Sequence, residues 1–221
     1  MKKTNYHTHT YRCGHANGNE EDMIQAAIDM GIEELGMCCH VPFPHYRKHL
    51  IRSLPSVRGV RSLLSLLKAI IKDGPNMRMP YRDMETHLEL LSQYQKSYED
   101  KIKIYKGFEA EGLSVYFDYY QKLLYEHKVD YLILGHHFHK HCISNDYFGK
   151  EKMTKKDIYL YCNDVEKALE TNLFSYLAHP DLFLIGYNQF DLDVQTVSRR
   201  ICQKAKDLNI PLEINAGGMR R

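Results

Sequence analysis

The chain has 221 residues, with 30 Lys and Arg against 28 Asp and Glu, a formal net charge of +2 and 13 histidines. That length suits one domain with a full core, within the range of α/β barrels, and so balanced a charge argues against a nucleic-acid binder. The longest apolar runs, such as Tyr131–Leu134, fall far short of the roughly 20 residues a membrane span needs. Six cysteines without a C-x-x-C spacing or a secretory leader read as reduced thiols of a cytoplasmic protein.

Along the chain, short apolar runs alternate with longer amphipathic ones, the pattern of repeated βα units. A strand over residues 4–7 runs into His7-Thr8-His9. Two imidazoles at i and i+2 on a strand share a face and can grip one cation. Residues 20–30 place Met23, Ala26, Ala27 and Met30 at helical spacing and stop at Gly31. A strand over 35–38 then leads to Cys39-His40. Cys38 and Cys39 should point to opposite faces, one into the core and one toward the site.

Residues 41–85 read as an insertion with a basic amphipathic helix over 57–72. Its cations fit a solvated face, and a lid over an anionic substrate is the alternative. Helices are expected over 81–100, 116–127, 156–172 and 194–208, and strands over 102–108, 131–134, 174–177 and 212–214. This makes about six βα units. His45, His49, His87 and His127 read as facing solvent.

In α/β barrels the loops at the carboxyl ends of the strands build the active site. Here His7 and His9, Cys39-His40, Glu109 and Glu111, His136 and His137, and His179 close five successive apolar runs. A carboxylate such as Glu109 at a barrel mouth would be costly unless a cation accepted it. Glu111 shares its face and reads as a supporting or solvated group. Among His136, His137, His139 and His141 the apolar pattern alone does not choose.

Tyr6-His-Thr-His-Thr10, His40-Val-Pro-Phe-Pro44, Gly107-Phe-Glu-Ala-Glu111, Asp130-Tyr-Leu-Ile-Leu-Gly-His-His-Phe138, Ala178-His-Pro-Asp-Leu182 and Leu212-Glu-Ile-Asn-Ala-Gly-Gly-Met-Arg220 stand in this order. Together they resemble the polymerase and histidinol phosphatase (PHP) superfamily, and within it the monofunctional histidinol-phosphate phosphatases. The resemblance implies a single domain, residues 1–221, folded as a distorted TIM-like (β/α)7 barrel that binds up to three divalent cations, zinc, manganese or iron.

It assigns His7, His9 and Glu109 to one cation, with Glu109 bridging to a second held by His137 and His179, and His15 and His40 to a third. The ligand's usual place two residues after a glycine favours His137 over His139. Glu109, His9 and His137 would be catalytic and Arg220 would bind phosphate. The implied reaction is hydrolysis of a small phosphorylated substrate, L-histidinol phosphate, by a metal-bound hydroxide. The rival readings are another phosphoesterase, either nuclease or protein-tyrosine phosphatase, and a metal-binding barrel with impaired catalysis. The family continues past the E-I-N segment to an S-D-A-H-like motif, whereas this chain ends at Arg221, so a barrel without its last βα unit is expected. Cys39 stands where Asp is frequent, and Gly112 where an aromatic is.

Overall fold

Strands β1 (Thr4–Asn5), β2 (Glu34–His40), β3 (Lys103–Ala110) and β4 (Tyr131–Leu134) lie side by side in the order β1-β2-β3-β4, all parallel. In the computed structural model, residues 2–53, 59–72, 74, 77–139 and 147–215 are described. Arg220 and His141 lie outside them. Parallel single-residue bridges from Leu134 to Leu177 and from Leu177 to Leu212 carry the sheet two segments further. The strands expected over 174–177 and 212–214 are therefore present only as these contacts, and β1 stops two residues short of His7.

All seven residues of β2 are buried. Such a strand, covered on both faces, is what helices packed against a parallel sheet produce. Around the sheet run α1 (Glu20–Asp29), α2 (Tyr46–Ser53), α3 (Gly59–Lys72), α4 (Met84–Ser97), α5 (Phe117–Tyr125), α6 (Lys155–Leu169) and α7 (Leu192–Asp207). Their starts are written locally. Asn19 with Asp22 and Thr154 with Asp157 form capping boxes for α1 and α6, and Asp191 caps α7. Gly31, at φ 68°, ends α1 as its position predicts. Helix α2 has no counterpart in the expected elements, and the region from residue 81 begins as a 3-10 turn (Tyr81–Asp83) before α4.

Phe108, Tyr120, Leu132, Tyr161, Val165, Leu177 and Val197 anchor the main core, and Ile24, Leu35, Met37, Leu91 and Ile104 form a smaller one under α1 and α4. His45 and His127 are exposed, but His87 is not. It lies buried on α4 with its Nδ1 3.2 Å from Glu20 Oε1 and its ring near Phe108. The helical spacing of α4 turns it inward beside Leu88 and Leu91, where the Glu20 carboxylate, paired also with Arg12, faces it. Among the described residues no helix is long and apolar enough to cross a membrane.

Candidate metal centre

Seven side chains singled out by the sequence, His7, His9, His15, His40, Glu109, His137 and His179, line one pocket of about 440 Å³ with Asn5, Glu213, Ile214 and Asn215. The parallel register explains the meeting, since strand ends at one edge of a parallel sheet point to one face. Thr8, between the two first histidines, is buried and donates its hydroxyl to Gly36 O at 2.7 Å, which fixes His7 and His9 on the open side. A 3-10 turn (Tyr11–Cys13) closed by Gly14 at φ 74° brings Cys13 under His9 and His15 beside it.

Glu109 is the hub. Its side chain is 1% exposed, and five imidazoles stand around its two oxygens. His179 Nε2 and His137 Nε2 lie 2.8 and 3.4 Å from Oε1, while His7 Nε2, His9 Nε2 and His40 Nδ1 lie 3.3, 3.2 and 3.2 Å from Oε2. His15 completes the group, its ring centroid 4.5 Å from that of His40. Gly135 is obligatory here, because a Cβ at that position would overlap the Glu109 carboxylate. His179 adopts φ 30°, an unfavourable backbone for a side chain of its size, and its amide donates to Glu213 Oε2 at 2.9 Å.

An outer ring of acids holds the imidazoles. Glu213 accepts from His7 Nδ1 at 2.8 Å and from Asn215 Nδ2 at 3.0 Å. Glu111 pairs with His137 Nδ1 at 2.9 Å, accepts the His137 amide at 2.6 Å and pairs with Arg78. Far from solvated, Glu111 is fully buried. Arg78, also buried, donates to Val41 O at 3.0 Å and lies over the Phe43 ring. His136 accepts from the Gly112 amide at 3.2 Å, while His139 Nδ1 lies 2.6 Å from Asp164 Oδ2 on α6. Of the three described histidines in that run, only His137 reaches the pocket. Cys38 packs against Ile133 and Ala178, and Cys39 sits on the Thr10 side near His9, as alternating faces require.

Glu213, Arg78 and Asp164 escaped the sequence reading. Glu213 carried the same signal as the other ligand-type residues, an acid closing an apolar run, whereas a lone arginine in a cation-rich insertion carried none.

Burial would raise the Glu109 carboxyl, but His40 and His137 hold it well below the usual carboxylate range. Burial pushes His40 well below the ordinary imidazole value. His7 is pulled down by burial, yet Glu109 and Glu213 raise it to about 10. Glu109 Oε2, His40 Nδ1 and His179 Nδ1 are buried and make no hydrogen bond, although buried polar atoms as a rule are satisfied. Imidazole and carboxylate lone pairs converging on one spot are what a cation requires. Donor atoms of His7, Glu109 and His179, of His9, His15 and His40, and of His40, Glu111 and His137 each fall within 4.8 Å of one another. The site therefore fits divalent ions, and its imidazole and carboxylate donors suit zinc, manganese or iron.

The PHP domain family model matches residues 5–217. No curated protein matches the chain. A Listeria monocytogenes protein named as a histidinol phosphatase superposes with a TM-score of 0.69 at 19% identity, covering 95% of this chain and 81% of its own. A histidinol phosphate phosphatase of Lactococcus lactis subsp. lactis, solved with zinc, L-histidinol and phosphate, gives 0.62 at 15% identity, covering 97% and 73%.

Proposed function

The chain belongs to the PHP domain family, and from that premise we propose that it is a metal-dependent phosphomonoesterase acting on L-histidinol phosphate. The observation that carries this reading is the buried Glu109 carboxylate ringed by five imidazoles. The substrate is taken from the Lactococcus lactis relative, which was solved with L-histidinol and phosphate.

In this reading His7, His9 and Glu109 hold one divalent cation, Glu109, His137 and His179 a second, and His15 and His40 a third. Cations bound there supply water of lowered pKa for attack at phosphorus and neutralise the phosphoryl oxygens. Glu109 would serve as a ligand to both of the first two, His9 and His137 would keep one each in place, and the leaving alkoxide would take its proton from water. Arg220 offers a guanidinium fork to the phosphate. We read the six parallel segments as part of a distorted (β/α)7 barrel in one domain, and residues 41–85 as an insertion whose buried Arg78 pairs with Glu111 behind His137.

The test is phosphate release from histidinol phosphate by protein stripped with chelator and reloaded with zinc or manganese. Activity that appears only on reloading is expected. Full activity of the stripped protein would overturn the metal dependence, and cleavage of other phosphomonoesters but not of this one would overturn the substrate.

A further inference from the structure

Behind the pocket, on the far side of His9, two thiols meet. Cys13 Sγ lies 3.4 Å from His9 Nδ1 and 3.4 Å from Thr10 O. Cys39 Sγ lies 3.3 Å from Thr10 Oγ1. A ring nitrogen of His9 and the two sulfurs all fall within 4.8 Å of one another. Cys13, Cys39 and Thr10 are buried, at 1%, 2% and 1% exposure, and the cysteines form no disulfide. We propose that Cys13, Cys39 and His9 Nδ1 form a separate site for one thiophilic divalent cation, such as zinc or cadmium, whose occupancy excludes His9 from the pocket.

The donor set is the argument. Two sulfurs and an imidazole nitrogen are the ligands of tetrahedral zinc, whose bonds of about 2.3 Å to sulfur and about 2.0 Å to nitrogen put donors roughly 3.5 to 3.8 Å apart. Side-chain rotation covers the difference from the separations present. Thr10 places a hydroxyl beside one sulfur and a carbonyl beside the other, so an oxygen is at hand for the fourth position. His15, exposed at the rim and interacting with Cys13, marks the way in from solvent. Soft thiolates prefer zinc or cadmium to manganese, which the oxygen- and nitrogen-lined pocket accepts.

Exclusion follows from the two nitrogens of one ring. His9 Nε2 faces the pocket, 3.2 Å from Glu109 Oε2, while Nδ1 faces Cys13. When the cation enters, each thiol gives its proton to solvent and its sulfur lone pair to the ion. Nδ1 gives its lone pair as well, and the ring proton sits on Nε2. A protonated Nε2 has no lone pair for a pocket cation. This inference goes beyond the phosphatase reading and does not depend on it, since its readouts are spectroscopic.

The experiment uses the full chain with exposed Cys202 and also Cys142 changed to serine, kept reduced with a phosphine. Cadmium is titrated in, and the thiolate-to-cadmium charge-transfer absorption is followed in the ultraviolet. One saturating band per chain is expected, lost in Cys13→Ser and in Cys39→Ser and retained in Cys38→Ser, each with a parent-like circular dichroism spectrum. In protein preloaded with manganese, the band should grow only as manganese is released, read by its paramagnetic resonance. A band that survives both serine variants, or its loss in Cys38→Ser alone, would overturn the site. A full band with all manganese retained would overturn the exclusion. Should Cys39→Ser fail to fold, Cys13→Ser decides by itself.

Discussion

His40 and Glu109 face each other across β2 and β3 as register partners, with His40 Nδ1 3.2 Å from Glu109 Oε2. Parallel pairing thus sets an imidazole and a carboxylate at the same height on the sheet edge, both buried. Burial drives His40 toward its neutral form, and the imidazoles keep Glu109 ionised. A buried anion among lone-pair donors is stable only when something positive joins it.

Glu109→Gln keeps the shape and removes the charge. Bound divalent metal should fall, and phosphate release should drop by about a hundredfold or more. At pH below 9 the melting temperature of the metal-free protein should fall, because the protonated His7 and His9 lose the carboxylate that pairs with them. Elemental analysis beside a thermal melt checks this; a full metal complement in the variant would contradict the bridging role.

Arg78→Met leaves Glu111 buried, ionised and short of one partner. Breaking a buried pair by removing one member costs about 3 to 5 kcal/mol, so urea denaturation should show a loss of that order. Arg78→Met combined with Glu111→Gln should be less destabilised than the single variant, since the orphaned charge disappears as well. An additive result would show that the two do not act as a pair.

Much of this centre was legible because parallel sheets translate sequence into place. Any His or Glu that closes an apolar run lands at the same edge, so His7, His40, Glu109 and His179 could be gathered without coordinates, whereas His137 was chosen over its neighbours only by the family resemblance. Helices α1, α6 and α7 were legible as amphipathic stretches, and α1 also through the stop at Gly31. What the sequence hid depends on side chains meeting across long separations. Arg78 finds Glu111 33 positions away, and His87 is inward only because α4 packs over Glu20 and Phe108. The last two strands faded because their pairing is a single bridge at Leu177 and Leu212, and Ser175 and Glu213 interrupt apolar runs that in β4 are unbroken.

Glu213 spans two ligands, taking His7 Nδ1 on one oxygen and the His179 amide on the other. Glu213→Gln can keep only one oxygen acceptor and adds an N–H facing a donor. Outer partners of this kind are worth about 10- to 100-fold in metal affinity, and a loss in that range is expected from competition with a chromophoric chelator. Unchanged affinity would show that His7 and His179 are oriented without it.

The metal-free pocket should hold protons where the loaded one holds cations. His7 is lowered by burial but raised to about 10 by Glu109 and Glu213, and His9, also lowered by burial, is raised to about 9 by Cys13 and Glu109, against 6.5 for free imidazole. A folded-state value above the unfolded one adds stability that is complete below pH 6.5 and is lost as pH rises through 9 and 10. The stripped protein should therefore melt progressively lower over that window. In the cation-loaded protein both imidazoles are already deprotonated, so above pH 6.5 folded and unfolded chains bind equal numbers of protons at these two positions and the melting temperature should stay level. The widening gap between the two curves is the rise in cation affinity with pH. Melts of chelator-treated and manganese-saturated protein from pH 6.5 to 9 read it directly, and parallel curves would mean that His7 and His9 do not exchange protons for metal.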